Sequence, residues 1–244
     1  MTYAVALRLE DGLVFAADTR TNAGVDNIAQ YKKLQHWCRP GDRVLVLLAA
    51  GNLAVTQAVV SLLNEHLAEE ASEDLATLYS APNMYRAARV VGDAIRGARR
   101  IDGAALEASK LGFNTNFIFG GQIKGERPRL FQIYPEGNFI EATDDTPFLQ
   151  IGEHKYGKPI LDRVARSDMR LGEAAKLILL SFDSTLRSNL SVGMPIDLVI
   201  YERDTLDITR EKRIGADDEY FRKLSVAWSD QLRQAFSKIE EFDV

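Results

Sequence analysis

The chain has one cysteine, Cys38, among 244 residues, so no disulfide can close within it. That fits a reducing compartment. Cys38 reads as a small packing residue rather than a nucleophile. The three histidines, His36, His66 and His154, lack metal-ligand spacing, and there is no Cys-x-x-Cys pair. No metal or organic cofactor is expected. No run of about 20 apolar residues is present, which excludes a membrane-spanning helix. Charges at Arg8, Glu10 and Asp11 come too early for a signal peptide, so the expectation is cytoplasmic. There is no basic excess: 30 Lys and Arg face 35 Asp and Glu, a net charge of −5, which argues against a nucleic-acid partner. Arg96, Arg99 and Arg100 read as a solvated helix face. With 7 prolines and 17 glycines the chain shows no Pro-, Gly- or Ser-rich linker and no repeat, so one domain over 1–244 is expected.

What remains is an ordinary globular composition, 46% apolar and 27% charged, with length enough for a sizeable core. Tyr3–Leu9 alternates, Glu10-Asp11-Gly12 turns, and Leu13–Ala17 returns as a hairpin. Thr19–Ala29 is polar and reads as a loop. Gln30–Trp37 and Val44–Ala49 make a second hairpin around Arg39-Pro40-Gly41-Asp42, so the first 50 residues read as a meander.

Asn52 is a candidate N-cap for a helix carrying Leu53, Val55, Val59, Leu62, Leu63 and Leu67. A second helix begins at Asn83. Strands follow at Asn114–Phe119, Leu130–Tyr134 and Phe139–Ala142, then helices at Lys158–Arg166 and Leu171–Arg187. The run Leu177–Leu180 makes the latter apolar nearly all round, which demands cover on several faces. Asp197–Glu202 is a strand with Leu206–Thr209 as its candidate partner, and Asp217–Phe236 is a closing helix. Strands and helices come in segregated runs, which predicts an α+β class and a four-layer αββα sandwich.

The chemistry-bearing feature is Thr2. If Met1 is removed, Thr2 carries a hydroxyl nucleophile and an α-amine on one backbone unit. A free α-amine titrates near pH 8, low enough to act as a base where a lysine amine is not. Nucleophile and base then sit on one residue.

Several spaced elements accompany it. They are Asp11-Gly12, Ala16-Ala17-Asp18-Thr19-Arg20, Tyr31-Lys32-Lys33-Leu34, Ala49-Ala50-Gly51, and Ser188-Asn189-Leu190-Ser191-Val192-Gly193 before Ile196–Ile200. Together with Thr2 they resemble the proteasome β-subunit family of N-terminal-nucleophile hydrolases over nearly the whole chain. The Ile151–Gly157 segment and the extended C-terminal helix are similar to a bacterial proteasome-related branch.

The resemblance implies a site. Thr2 would be the nucleophile. Lys33 would lower the pKa of the amine and stabilise charge on the hydroxyl, with Lys32 as the alternative register. Only one of the two can face the site, because neighbouring strand residues point to opposite sides. Asp18 would hold the lysine charged, with Arg20 in support. Gly51 would offer a backbone N–H as oxyanion hole, and Ser191 would orient the amine. Two positions depart from the family: Ser188 stands where an aspartate is usual, and Glu153 where a serine is usual. Asn189 and Glu153 are the candidates to bond the amine instead. Asn22 lies in the loop that would pair with substrate backbone. Ala29, Gln30 and Leu47 are candidates for a specificity pocket.

The implied activity is a threonine-type peptidase or amide hydrolase. A non-peptidase amidase of the same chemistry and a non-catalytic scaffold are the alternatives. The implied partners are a peptide or amide substrate and further copies of the chain, in a ring or open helical ring. The residues identify no unfoldase partner.

Overall fold

The computed structural model describes residues 1–22, 28–68, 76–208 and 210–243, with the backbone alone at Asn22 and Ile28. The early strands are β1 (Tyr3–Leu9), β2 (Gly12–Asp18), β3 (Arg20–Asn22), β4 (Ile28–Gln30), β5 (Leu34–Arg39) and β6 (Arg43–Gly51). Helices α1 (Leu53–Ala68) and α2 (Met84–Ala108) follow. Next come β7 (Thr115–Ile123), β8 (Arg129–Ile133), β9 (Phe139–Glu141) and β10 (Phe148–Gly152). The chain closes with α3 (Lys158–Val164), α4 (Leu171–Ser188), β11 (Ile196–Glu202), β12 (Arg210–Ile214) and α5 (Glu219–Ser237).

Two five-stranded antiparallel sheets result, ordered β10-β1-β2-β11-β12 and β5-β6-β7-β8-β9. Strand alternation assigns each to two cores. In β1, Tyr3, Val5 and Leu7 face one helical layer, packing with Leu161, Ile178 and Phe182 of α3 and α4. Ala4 and Ala6 face the other way and meet Val46, Leu48 and Ile118 of the second sheet. The outer face of that sheet, with Leu45, Leu47, Phe117 and Phe119, packs on Val59 and Leu63 of α1 and Val91 and Ile95 of α2. The layers are helices, sheet, sheet, helices: the expected αββα sandwich. Burying one such Leu, Ile or Phe side chain contributes about 1.5–3 kcal/mol.

Local signals place the helices. Asn52 Oδ1 accepts from the N–H groups of Ala54 at 3.0 Å and Val55 at 3.5 Å. Asn83 Oδ1 accepts from the N–H of Arg86 at 2.8 Å. In α4, Leu177, Ile178 and Leu179 are buried within the chain, while Leu180, the last of the run, is half-buried.

Four expectations need correction. The first 50 residues are not one meander: β1–β2 and β5–β6 lie in different sheets, because β2 takes β11 as its outer partner and β6 takes β7. The expected loop at Thr19–Ala29 contains a small ladder, with Arg20 opposite Gln30, and β5 starts at Leu34 rather than Gln30. The partner of β11 is not Leu206–Thr209 but Arg210–Ile214. Strand β10 was not expected at all, yet it pairs with β1 along Leu7–Tyr3. Among the described residues, no helix is long and apolar enough to cross a membrane.

Candidate active site

Strand ends from both sheets converge on Thr2. In the first sheet Thr2 precedes β1, Asp18 ends β2 and Gly152 ends β10; in the second, Lys33 precedes β5 and Gly51 ends β6. Thr2, Thr21, Lys33, Gly51, Asn114 and Glu153 line one cavity of about 750 Å³. Thr2 is 8% exposed, Lys33 6% and Asp18 0%.

Asp18 is the hub. Its Oδ1 accepts from Lys33 Nζ at 2.8 Å and from the N–H of Tyr3 at 3.1 Å; its Oδ2 accepts from the N–H of Gly193 at 3.2 Å. The turn-capping role open to a lone aspartate is therefore not what Asp18 does. Lys33 Nζ also donates to the carbonyls of Arg20 at 2.5 Å and Met1 at 3.4 Å. A cation thus stands beside the peptide unit joining Met1 to Thr2. Lys32 lies on the surface, with its Nζ 3.4 Å from Glu211 Oε1, so Lys33 is the lysine that faces Asp18.

The carbonyl of Thr2 is held by the N–H of Glu153 at 2.6 Å. This close approach needs Gly152. Its φ is +81°, and a Cβ there would sit 2.0 Å from the Thr2 oxygen. Gly51 is similarly constrained, at φ +117° with a Cβ position 2.3 Å from the Asn114 oxygen.

Burial dominates the electrostatics. It pushes the Lys33 ammonium below its ordinary value, opposed by the Asp18 charge and hydrogen bond. It pushes the Asp18 carboxyl up, opposed by Lys33 and the Tyr3 and Gly193 amides. The α-amine, carried by Met1 here, is also lowered, first by burial and then by the Lys33 charge; Asp18 and Glu153 pull it the other way.

The other expected residues divide. Arg20 serves through its backbone oxygen, while its guanidinium reaches past Asp18 to the carbonyl of Leu190 at 2.9 Å. It thereby ties down the segment that carries Gly193. Asn189 Nδ2 donates to Glu153 Oε2 at 2.9 Å, and Asn189 Oδ1 accepts from the N–H of Ser191 at 2.9 Å. Ser191 joins this chain through its backbone, is half-buried and does not line the cavity. Ser188 is exposed at the end of α4, away from the cavity lining. The side chain of Asn22 lies outside the described residues; its backbone pairs with Ile28.

A neighbouring cavity of about 390 Å³ shares Lys33, Ala49, Leu53 and Thr56 with the first. Leu47 lines it, whereas Ala29 and Gln30 do not. Sequence reasoning missed the roles of Gly152, Thr21, Asn114 and Gly193. Gly152 lies just before Glu153 and Gly193 closes the Ser188–Gly193 element, so both had a visible signal; Thr21 and Asn114 had none. Among the described residues, no group of three or more His, Cys, Asp or Glu side chains is placed to hold a metal ion.

Comparison with known proteins identifies the family. A sequence model described as proteasome subunit matches residues 2–201. The chain is similar to the structure titled Anbu (Gly-1) mutant from Hyphomicrobium sp. strain MC1, with 83% identity, full coverage of both chains and a TM-score of 0.95. It is similar to the helical assembly of the Anbu complex from Pseudomonas aeruginosa, with 46% identity, a TM-score of 0.92, and 99% of this chain and 98% of that chain covered. Proteasome subunit beta 1 of Ignicoccus hospitalis is 29% identical over 203 residues, covering 81% of this chain and 88% of its own length. The chain belongs to the proteasome subunit family.

Proposed function

We propose that the chain is a threonine-type N-terminal-nucleophile hydrolase acting on a peptide or amide bond. The observation that carries this reading is the buried Lys33–Asp18 pair, with Lys33 Nζ 3.4 Å from the carbonyl that precedes Thr2. Removal of Met1 frees the amine of Thr2. Thr2 Oγ then attacks the substrate carbonyl carbon, and its proton passes to the α-amine. Lys33 stabilises the charge growing on Oγ. The oxyanion is met by the N–H of Gly51. The amine returns the proton to the leaving nitrogen, the C–N bond breaks, and an ester to Thr2 remains. Water, deprotonated by the same amine, hydrolyses that ester. The protein is proposed to work in the cytoplasm as one domain over 1–244, assembled with further copies of itself. The helical assembly of the similar Pseudomonas aeruginosa protein supports an open, helical ring.

Intact-mass spectrometry after incubation with a peptidyl epoxyketone tests the mechanism. That warhead closes a stable ring only on a residue bearing both a free amine and a hydroxyl. The expected product lacks Met1 and carries one inhibitor mass, and Thr2→Ala carries none. A chain that keeps Met1, or a Thr2→Ala variant labelled like the parent, would overturn the reading.

A further inference from the structure

We propose that Glu153 is the positioning residue for the terminal amine, held for that task by Asn189; the proposal rests on the Thr2 reading above. The backbone N–H of Glu153 donates to the Thr2 carbonyl at 2.6 Å, which fixes the residue beside the nucleophile. The residue is 9% exposed, and it lines the same cavity as Met1, Thr2 and Lys33.

Elimination points the same way. The Asn189 amide is engaged at both ends, its Nδ2 by Glu153 Oε2 and its Oδ1 by the N–H of Ser191. Asn189 does not line the cavity with Thr2, so it is a holder and not the group that meets the amine. Ser188 is exposed at the end of α4. Glu153 lies close enough to the chain terminus for its charge to act on the Met1 amine, one residue upstream of the Thr2 nitrogen. Asp18 is committed to Lys33 and to the Tyr3 and Gly193 amides. A carboxylate offers about four lone-pair sites, and Asn189 occupies one on Glu153. Neighbouring His154 and Lys155 are exposed, with His154 Nδ1 turned to the carbonyl of Gly152 at 3.2 Å. Asp18, with three donors, does not line the cavity, whereas Glu153 does and keeps most of its acceptor sites free of described side-chain partners.

Its work follows from the proton's route. Accepting an N–H from the neutral amine aims the nitrogen lone pair at Thr2 Oγ. After attack, the proton from Oγ makes the amine an ammonium, and the Glu153 charge stabilises it until the leaving nitrogen takes that proton. The same charge favours the ammonium in the free enzyme, so it sets the pH at which the base becomes available.

The test uses the full chain, the epoxyketone probe and intact mass, with the labelling rate followed across the acid limb. Glu153→Gln keeps the volume and an acceptor for Asn189 but removes the charge. Its limb midpoint should fall by about one pH unit, and its plateau rate by about tenfold. Asn189→Ala leaves the charge without its holder and should shift the midpoint the same way by less; it carries the test if Glu153→Gln does not fold. A parent that labels while both folded variants keep its midpoint overturns the role of Glu153 alone. A parent that never labels overturns the Thr2 reading and this proposal with it.

Discussion

In the proposed mechanism Lys33 must stay charged, and its burial works against that. Burial pushes its ammonium below the ordinary 10.5, and the Asp18 charge opposes the shift. The charge is present below the lowered value and lost as pH rises through it. The labelling rate should therefore show an alkaline limb with its midpoint below 10.5. A pH series of epoxyketone labelling reads it directly. Lys33→Met should abolish that limb and cut the plateau rate by roughly 100-fold or more; a limb at the free-lysine value would show that Lys33 is not the titrating group. Single residues were also the scale at which the sequence spoke most clearly. Lys33 and Asp18 could be named because Ala16–Arg20 and Tyr31–Leu34 resemble the family's segments, with Lys32 left as the alternative register. The Tyr3 and Gly193 amides that complete the Asp18 shell could not, since a backbone N–H has no residue type to read.

Elements bind this site to the fold through Tyr3. Its hydroxyl donates to Ser181 Oγ at 2.9 Å and accepts from Gln150 Nε2 at 2.7 Å, joining β1 to α4 and β10. Burial keeps that hydroxyl protonated by raising its pKa. Tyr3→Phe should destabilise the protein by about 1–2 kcal/mol, read as a lower urea midpoint at unchanged slope. An unchanged midpoint would mean the three elements are held by apolar packing alone. The strands the sequence reading misplaced share a physical cause. Strand β12 reads Arg-Glu-Lys-Arg-Ile and is an edge strand, charged as edges tend to be, so no apolar alternation marks it. Strand β10, also an edge, is five residues long. The helices were legible because α1, α2 and α4 each bury a full stripe and α1 and α2 begin at a capping asparagine.

At the scale of the molecule, the site spans two sheets, so the separation of the sheets sets its geometry. Ala4, Ala6, Ala17 and Ala50 lie in the layer between, packed among larger residues such as Phe15, Leu48 and Tyr201. Ala6→Leu should cost about 1–3 kcal/mol by overpacking, measured by thermal unfolding. It should also slow epoxyketone labelling, because Thr2 and Lys33 sit on opposite sides of the seam. A destabilised variant with the parent labelling rate would place the seam's control elsewhere. The sequence announced the layers through segregated strands and helices, but not which hairpin joined which sheet, since that choice depends on distant partners, β11 for β2 and β7 for β6. The hydrogen bonds around Thr2 carry one more meaning. Its carbonyl is gripped by Glu153, and the next amide by Asp18. Met1 is tied by a single long contact to Lys33 and is 59% exposed. The chain is anchored downstream of its working residue and nearly loose upstream, like a blade clamped at the handle. Removal of Met1, as the proposed mechanism requires, would leave both of these downstream hydrogen bonds in place.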